Sequence, residues 1–138
     1  MTDLRAFRQV CYEAARATGG RLIEFRSADE VTPNFHQGVI GYEDDRVAVI
    51  WRRDSALLAV AEPRALDASE GVRESGPLTF VAAPALATAL RRQPGFQVLT
   101  TAELDGPFDA AAWPGLDPAD IKYWKPATLG EALFNYWD

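Results

Sequence analysis

Three short apolar runs in close succession constrain this chain more than any other feature: HQGVIGY from His36, RVAVIWR from Arg46 and ALLAVAE from Ala56. Each has the length of a strand and a share of β-branched or aromatic residues. Only Glu43-Asp44-Asp45 and Arg53-Asp54-Ser55 separate them, clusters short enough for hairpin turns. A three-stranded antiparallel meander follows, and the rest of the chain must cover it.

The first cover comes from residues 2–18, whose apolar positions Leu4, Phe7, Val10, Cys11, Ala14 and Ala15 recur at helical spacing. Thr2 or Asp3 can cap this helix, and Gly19-Gly20 stops it. RLIEFR, from Arg21 to Arg26, reads as a strand and SADEVTPN as a polar link. After the meander, residues 63–76 are loop-like and LTFV, Leu78 to Val81, returns as a strand. Pro84 suits the first turn of a helix over Ala85 to Arg92, which Pro94-Gly95 ends. FQVLTTAE, Phe96 to Glu103, is read as a further strand, and the Pro-, Gly- and Asp-rich residues 105–120 as an irregular connection. A connection of that length in a small domain tends to be functional. Thr128 with Glu131 fits a capping box opening a last helix that carries Leu129, Leu133, Tyr136 and Trp137 on one side, with Phe134 on its flank.

This pattern predicts an α+β fold in one domain, residues 1–138: a mainly antiparallel sheet of about five strands packed against an N-terminal, a middle and a short C-terminal helix. The tail holds Tyr123, Trp124, Phe134, Tyr136 and Trp137, and its aromatics are expected to dock into the core as a structural seal. No secretory leader or spanning segment is read, and a single cysteine fits a reducing compartment, so a cytoplasmic protein is expected.

The net charge of −6 is unevenly placed, since residues 99–138 hold seven acids against two lysines. Such a balance disfavours nucleic acid and attracts a basic protein. Chemical motifs are sparse. His36 is the only histidine and sits beside no nucleophile motif, so an edge histidine making one hydrogen bond is expected. Cys11 lies on the apolar helix stripe and reads as a small core residue. Glu43, Asp44 and Asp45 lack the spacing of a cation loop and read as a solvated turn. No catalytic residue, metal site or cofactor is assigned.

The tail residues Tyr123-Trp124-Lys125-Pro126, Gly130-Glu131 and Phe134-Asn135-Tyr136-Trp137-Asp138 resemble the C-terminal signature of small actinobacterial immunity proteins of polymorphic toxin systems, in particular the antitoxins that neutralise secreted NAD-glycohydrolase toxins. The resemblance spans about the last eighteen residues, and FVAAPALATALRRQPGFQVL is more loosely similar. It implies a bacterial, non-catalytic α+β protein that occludes the active site of its cognate toxin. On that reading Asp105, Asp109, Asp117 and Trp113, together with the Glu43, Asp44 and Asp45 turn, face a basic partner. Trp113 has a second reading as packing beneath its loop. The competing function is a small-molecule enzyme or ligand-binding domain, with a curved-sheet pocket lined by Phe35, Trp51 and Phe80 near His36.

Overall fold

In the computed structural model, the first helix, α1 (Leu4–Ala17), begins where Asp3 Oδ1 accepts from the Ala6 N–H at 2.8 Å. The structure describes residues 3–26, 33–53, 55–63 and 78–135, so Thr2, most of the SADEVTPN link, the loop after Pro63 and residues Tyr136 to Asp138 lie outside it. Phe7, Val10, Cys11, Ala14 and Ala15 form the buried stripe, as their spacing predicts. Leu4 departs from it: one residue past the cap, at the open end of the helix, it is 41% exposed.

Among the described residues five strands follow one another across a single sheet in the order β1-β2-β3-β4-β5. They are β1 (Arg21–Arg26), β2 (Phe35–Gly41), β3 (Arg46–Arg52), β4 (Leu57–Ala61) and β5 (Gln97–Val98). The first three pairings are antiparallel, and the last, β4 with β5, is parallel. Alternation along β3 and β4 divides the core in two. Val47, Val49, Trp51, Leu58 and Val60 meet α1 and the middle helix α2 (Pro84–Arg91), while Ala48, Ile50, Ala59 and Ala61 point the other way. The central strands are thus covered on both faces, which is why they read as apolar runs and not as strict alternation.

On the first face the ring of Phe7 lies between those of Phe25, Trp51 and Phe96, with centroids 5.5, 5.3 and 6.5 Å away. Gly38 lets α1 approach β2, because a Cβ there would meet Cys11 Sγ at 2.8 Å.

Two expected strands are shorter than their sequence implies. LTFV makes a single bridge, Phe80 to Ala61, and FQVLTTAE pairs only through Gln97–Val98 before turning into α3 (Thr101–Asp105). Thr100 ends the strand by capping that helix: its hydroxyl accepts from Glu103 N at 3.1 Å, and the Glu103 carboxylate accepts from Thr100 N at 3.0 Å. This reciprocal cap is the Thr-x-x-Glu arrangement that marks Thr128 in the tail.

The second face carries α3 and α5 (Leu129–Leu133), with Leu104, Leu129, Leu133 and Phe134 buried against the sheet. Thr128 caps α5 by accepting from Glu131 N at 3.2 Å, but the Glu131 carboxylate reaches one residue further back than a capping box requires, to Ala127 N at 2.8 Å. Gly130 is needed for contact, since a Cβ there would run into the Phe80 ring and lie 3.1 Å from the Leu104 carbonyl.

A polar latch ties the end of α5 to the start of β2. Asn34 Nδ2 donates to the Leu133 carbonyl at 2.9 Å, its Oδ1 accepts from Asn135 N at 2.9 Å, and its N–H donates to the Asn135 carbonyl at 3.0 Å. Arg52 Nε donates to the same Leu133 carbonyl at 3.0 Å. The Leu133 carbonyl at the end of α5 is therefore satisfied by side chains from distant sequence, while Asn135 Nδ2, close by in the chain, donates to the Glu131 and Ala132 carbonyls.

Candidate partner-binding surface

Residues 108–127 leave the second face and return to it through a narrow neck. Phe108 N donates to the Ala127 carbonyl at 3.2 Å, Leu129 N donates to the Gly106 carbonyl at 3.1 Å, and Pro107 bridges Thr128. Its inner side is anchored by Phe108, Trp113 and Leu116, which are partly buried and packed against the second core cluster. Trp113 thus takes the packing role among its two readings while keeping an accessible edge.

The expected irregular connection is more ordered than its Pro, Gly and Asp content implies. Asp109 Oδ1 accepts from Ala111 N at 3.0 Å and starts a 3₁₀ turn over Ala110–Ala112. Asp117 Oδ1 accepts from Ala119 N at 2.9 Å and caps α4 (Pro118–Trp124), which has proline at its first position. Lys125 ends α4 in the left-handed region, φ 49°, ψ 60°, and donates its N–H to Ile121 at 2.9 Å. Pro126 follows, preventing continuation.

α4 displays aromatic surface. Tyr123 is 76% and Trp124 38% exposed, and their rings meet edge to face with centroids 5.0 Å apart. The expectation that all five tail aromatics serve the core is corrected here: Phe134 is 1% exposed and does so, Tyr123 and Trp124 face outward, and Tyr136 and Trp137 lie outside the described residues. The physical reason is the αL turn at Lys125 with Pro126, which separates α4 from α5 and lets their aromatics point to different environments.

The excursion and the adjoining end of α3 expose Asp105, Asp109, Asp117 and Asp120, together with Lys122 and Lys125. Asp105, Asp109, Trp113 and Asp117 therefore belong to one continuous segment. Glu43, Asp44 and Asp45 are exposed in the β2–β3 turn, where Tyr42 N donates to the Asp45 carbonyl and Arg46 N to Asp45 Oδ1, both at 2.8 Å. That turn adjoins the first face instead, because Asp45 lines a hollow with Thr18 of the α1 end and Leu86 of α2.

The remaining chemical candidates are packed. His36 and Trp51 are 8% and 5% exposed, with ring centroids 5.3 Å apart, and Trp51 Nε1 donates to the Ser55 carbonyl at 2.8 Å. Burial pushes the Cys11 thiol up to about 12, so it is protonated and unreactive at neutral pH. Among the described residues no group of three His, Cys, Asp or Glu is placed to hold a metal ion, and no helix is long and apolar enough to cross a membrane. Compared with known protein families, curated proteins and solved structures, the chain matches none.

Sequence reasoning misses α4 and its exposed pair. Asp117-Pro118 is the available signal, an N-cap followed by a first-turn proline.

Proposed function

We propose that this chain is a non-catalytic, cytoplasmic immunity protein of a bacterial polymorphic toxin system, which binds a basic toxin and covers its active site with the surface of the 108–127 excursion. The observation that carries the reading is the outward-facing Tyr123–Trp124 pair, set in an acidic segment on a hydrogen-bonded neck. Exposed Tyr and Trp on an ordered element are the side chains that most often dominate protein interfaces, and their two χ angles make them inexpensive to fix. The same two residues open the tail signature that resembles the antitoxins of NAD-glycohydrolase toxins. The surrounding carboxylates supply the field that draws in a basic partner and orients it. Asp105, Asp109 and Asp117 act in approach, whereas Tyr123 and Trp124 form the lasting contact.

The test is enzymatic. An NAD-glycohydrolase toxin domain, sought in the open reading frames that adjoin the gene for this chain, is assayed for NAD hydrolysis with increasing amounts of the protein. Full inhibition at one equivalent is expected, with association slowing as salt is raised. Undiminished hydrolysis at an excess of the protein excludes the reading.

A further inference from the structure

The parallel pair β4 and β5 creates a feature the partner-binding surface does not use. The chain goes from β4 to β5 by way of α2 on the first face, and on leaving β5 it enters α3 on the second. Connections that depart to opposite faces at the carboxyl ends of neighbouring parallel strands leave a crevice between them, the place where open α/β sheets bind ligands. A hollow of about 220 Å³ lies there.

Its wall is apolar, with Val60 from the end of β4, Val81 and Ala87 from the α2 side, and Leu99 and Leu104 from the β5–α3 side. Among the described lining residues Arg91 alone is charged. Pro84, Ala87 and Arg91 are spaced i, i+3 and i+7, one flank of α2, so the Arg91 side chain rises from the helix edge that faces the hollow. Thr101 lines it as well, while the Thr100 hydroxyl is already engaged with Glu103. The volume is below the roughly 300–1,000 Å³ typical of drug-sized ligand sites.

We infer that this crevice binds a small carboxylate with an apolar body, its ring or chain against Ala87, Leu99 and Leu104 and its charge on the Arg91 guanidinium. An arginine offers a carboxylate two parallel donors, and in a largely apolar hollow that pairing discriminates against neutral isosteres. The inference is independent of toxin binding, because the residues involved lie outside the 108–127 excursion.

The probe is benzoate, titrated into the full chain and followed by amide chemical shifts, with benzamide as the neutral isostere. Benzoate is expected to shift the Ala87, Arg91 and Thr101 amides saturably with a dissociation constant of about 1 mM, the range for so few atoms. Benzamide should bind roughly tenfold more weakly. Arg91→Gln should weaken benzoate about tenfold and leave benzamide unchanged, and Arg92→Gln, on the other flank of α2, should alter neither. Ala87→Met, which fills the hollow, should abolish both. Absence of saturable shifts at those amides, or equal benzoate affinity in the wild type and Arg91→Gln, overturns the inference.

Discussion

Whereas α1 and α2 cover one face of the sheet with apolar stripes on helices of fourteen and eight residues, the opposite face is covered by α3 and α5, of five residues each, and by the 108–127 excursion. The first side is held by interlocked rings and aliphatic side chains. The second depends on caps, a neck and the Asn34 latch, because helices so short bury little area of their own. Their outer surfaces differ too: α1 and α2 with its cap carry Arg5, Arg8, Arg16, Arg91 and Arg92 beside Asp3 and Glu13, while Glu103, Asp105, Asp109, Asp117, Asp120 and Glu131 belong to the other side with Lys122 and Lys125. Stability is concentrated where packing is regular, and display where short elements are pinned at few points. On the second side acids outnumber lysines, whereas on the first the Glu43-Asp44-Asp45 turn with Asp3 and Glu13 offsets the arginines. Under the proposed function a basic partner is expected to approach the second side, which bears the aromatic pair.

The sharpest way to break this contrast is to truncate aromatics that look alike in the tail. Phe134→Ala should destabilise the fold by about 3–5 kcal/mol, as deletion of a fully buried ring does. Tyr123→Ala, largely exposed, should change it by less than about 0.5 kcal/mol. Urea denaturation of both variants measures the difference, and equal losses would erase the distinction between docked and displayed aromatics.

Next in size is the latch. Asn34→Ala removes the donor to Leu133 and the acceptor for Asn135, and should cost about 2–3 kcal/mol. Hydrogen exchange should then accelerate in α5 ahead of α1, since the second side loses its tie while the first keeps its packing.

The first side has its own pH signature. Burial raises the Cys11 thiol from 9.0 to about 12, so the native state holds its proton where the unfolded chain has released it. The stabilisation is complete below pH 9 and is lost as pH climbs from about 9 toward 12, by about 1.4 kcal/mol per unit. Denaturation at pH 8 and pH 10 should therefore show a larger decline for the wild type than for Cys11→Ala.

The smallest effects belong to the caps of the excursion. Asp109→Ala and Asp117→Ala should each cost about 1 kcal/mol, and Asn at either position should restore most of it while removing the charge. Charge reversal there would mix lost capping with lost attraction, so Asp→Asn is the substitution that isolates the field in a measured association rate.

How much of this was legible in the sequence follows from the range of each interaction. The meander and α1 show through because their periods are local and their buried positions many. α3 was readable from Thr100 and Glu103 but is masked by the β-prone residues Gln97 to Leu99 before it. α4 hides in a stretch dense in proline, glycine and aspartate. The latch leaves no local pattern at all, as Asn34 and Asn135 stand 101 residues apart. For the same reason nothing near Tyr123 or Trp124 reveals that they face outward, since a side chain's exposure is set by what the rest of the chain brings alongside.

The most direct test of the account is a calorimetric titration of the NAD-glycohydrolase domain sought as the cognate toxin, first with the wild type, which is expected to bind, and then with the Tyr123→Ala/Trp124→Ala protein. Loss of two central aromatics, at about 1–2 kcal/mol each or more, predicts affinity at least thirtyfold weaker than wild type. An unchanged dissociation constant would contradict the claim that this face of the molecule is the one that meets its partner.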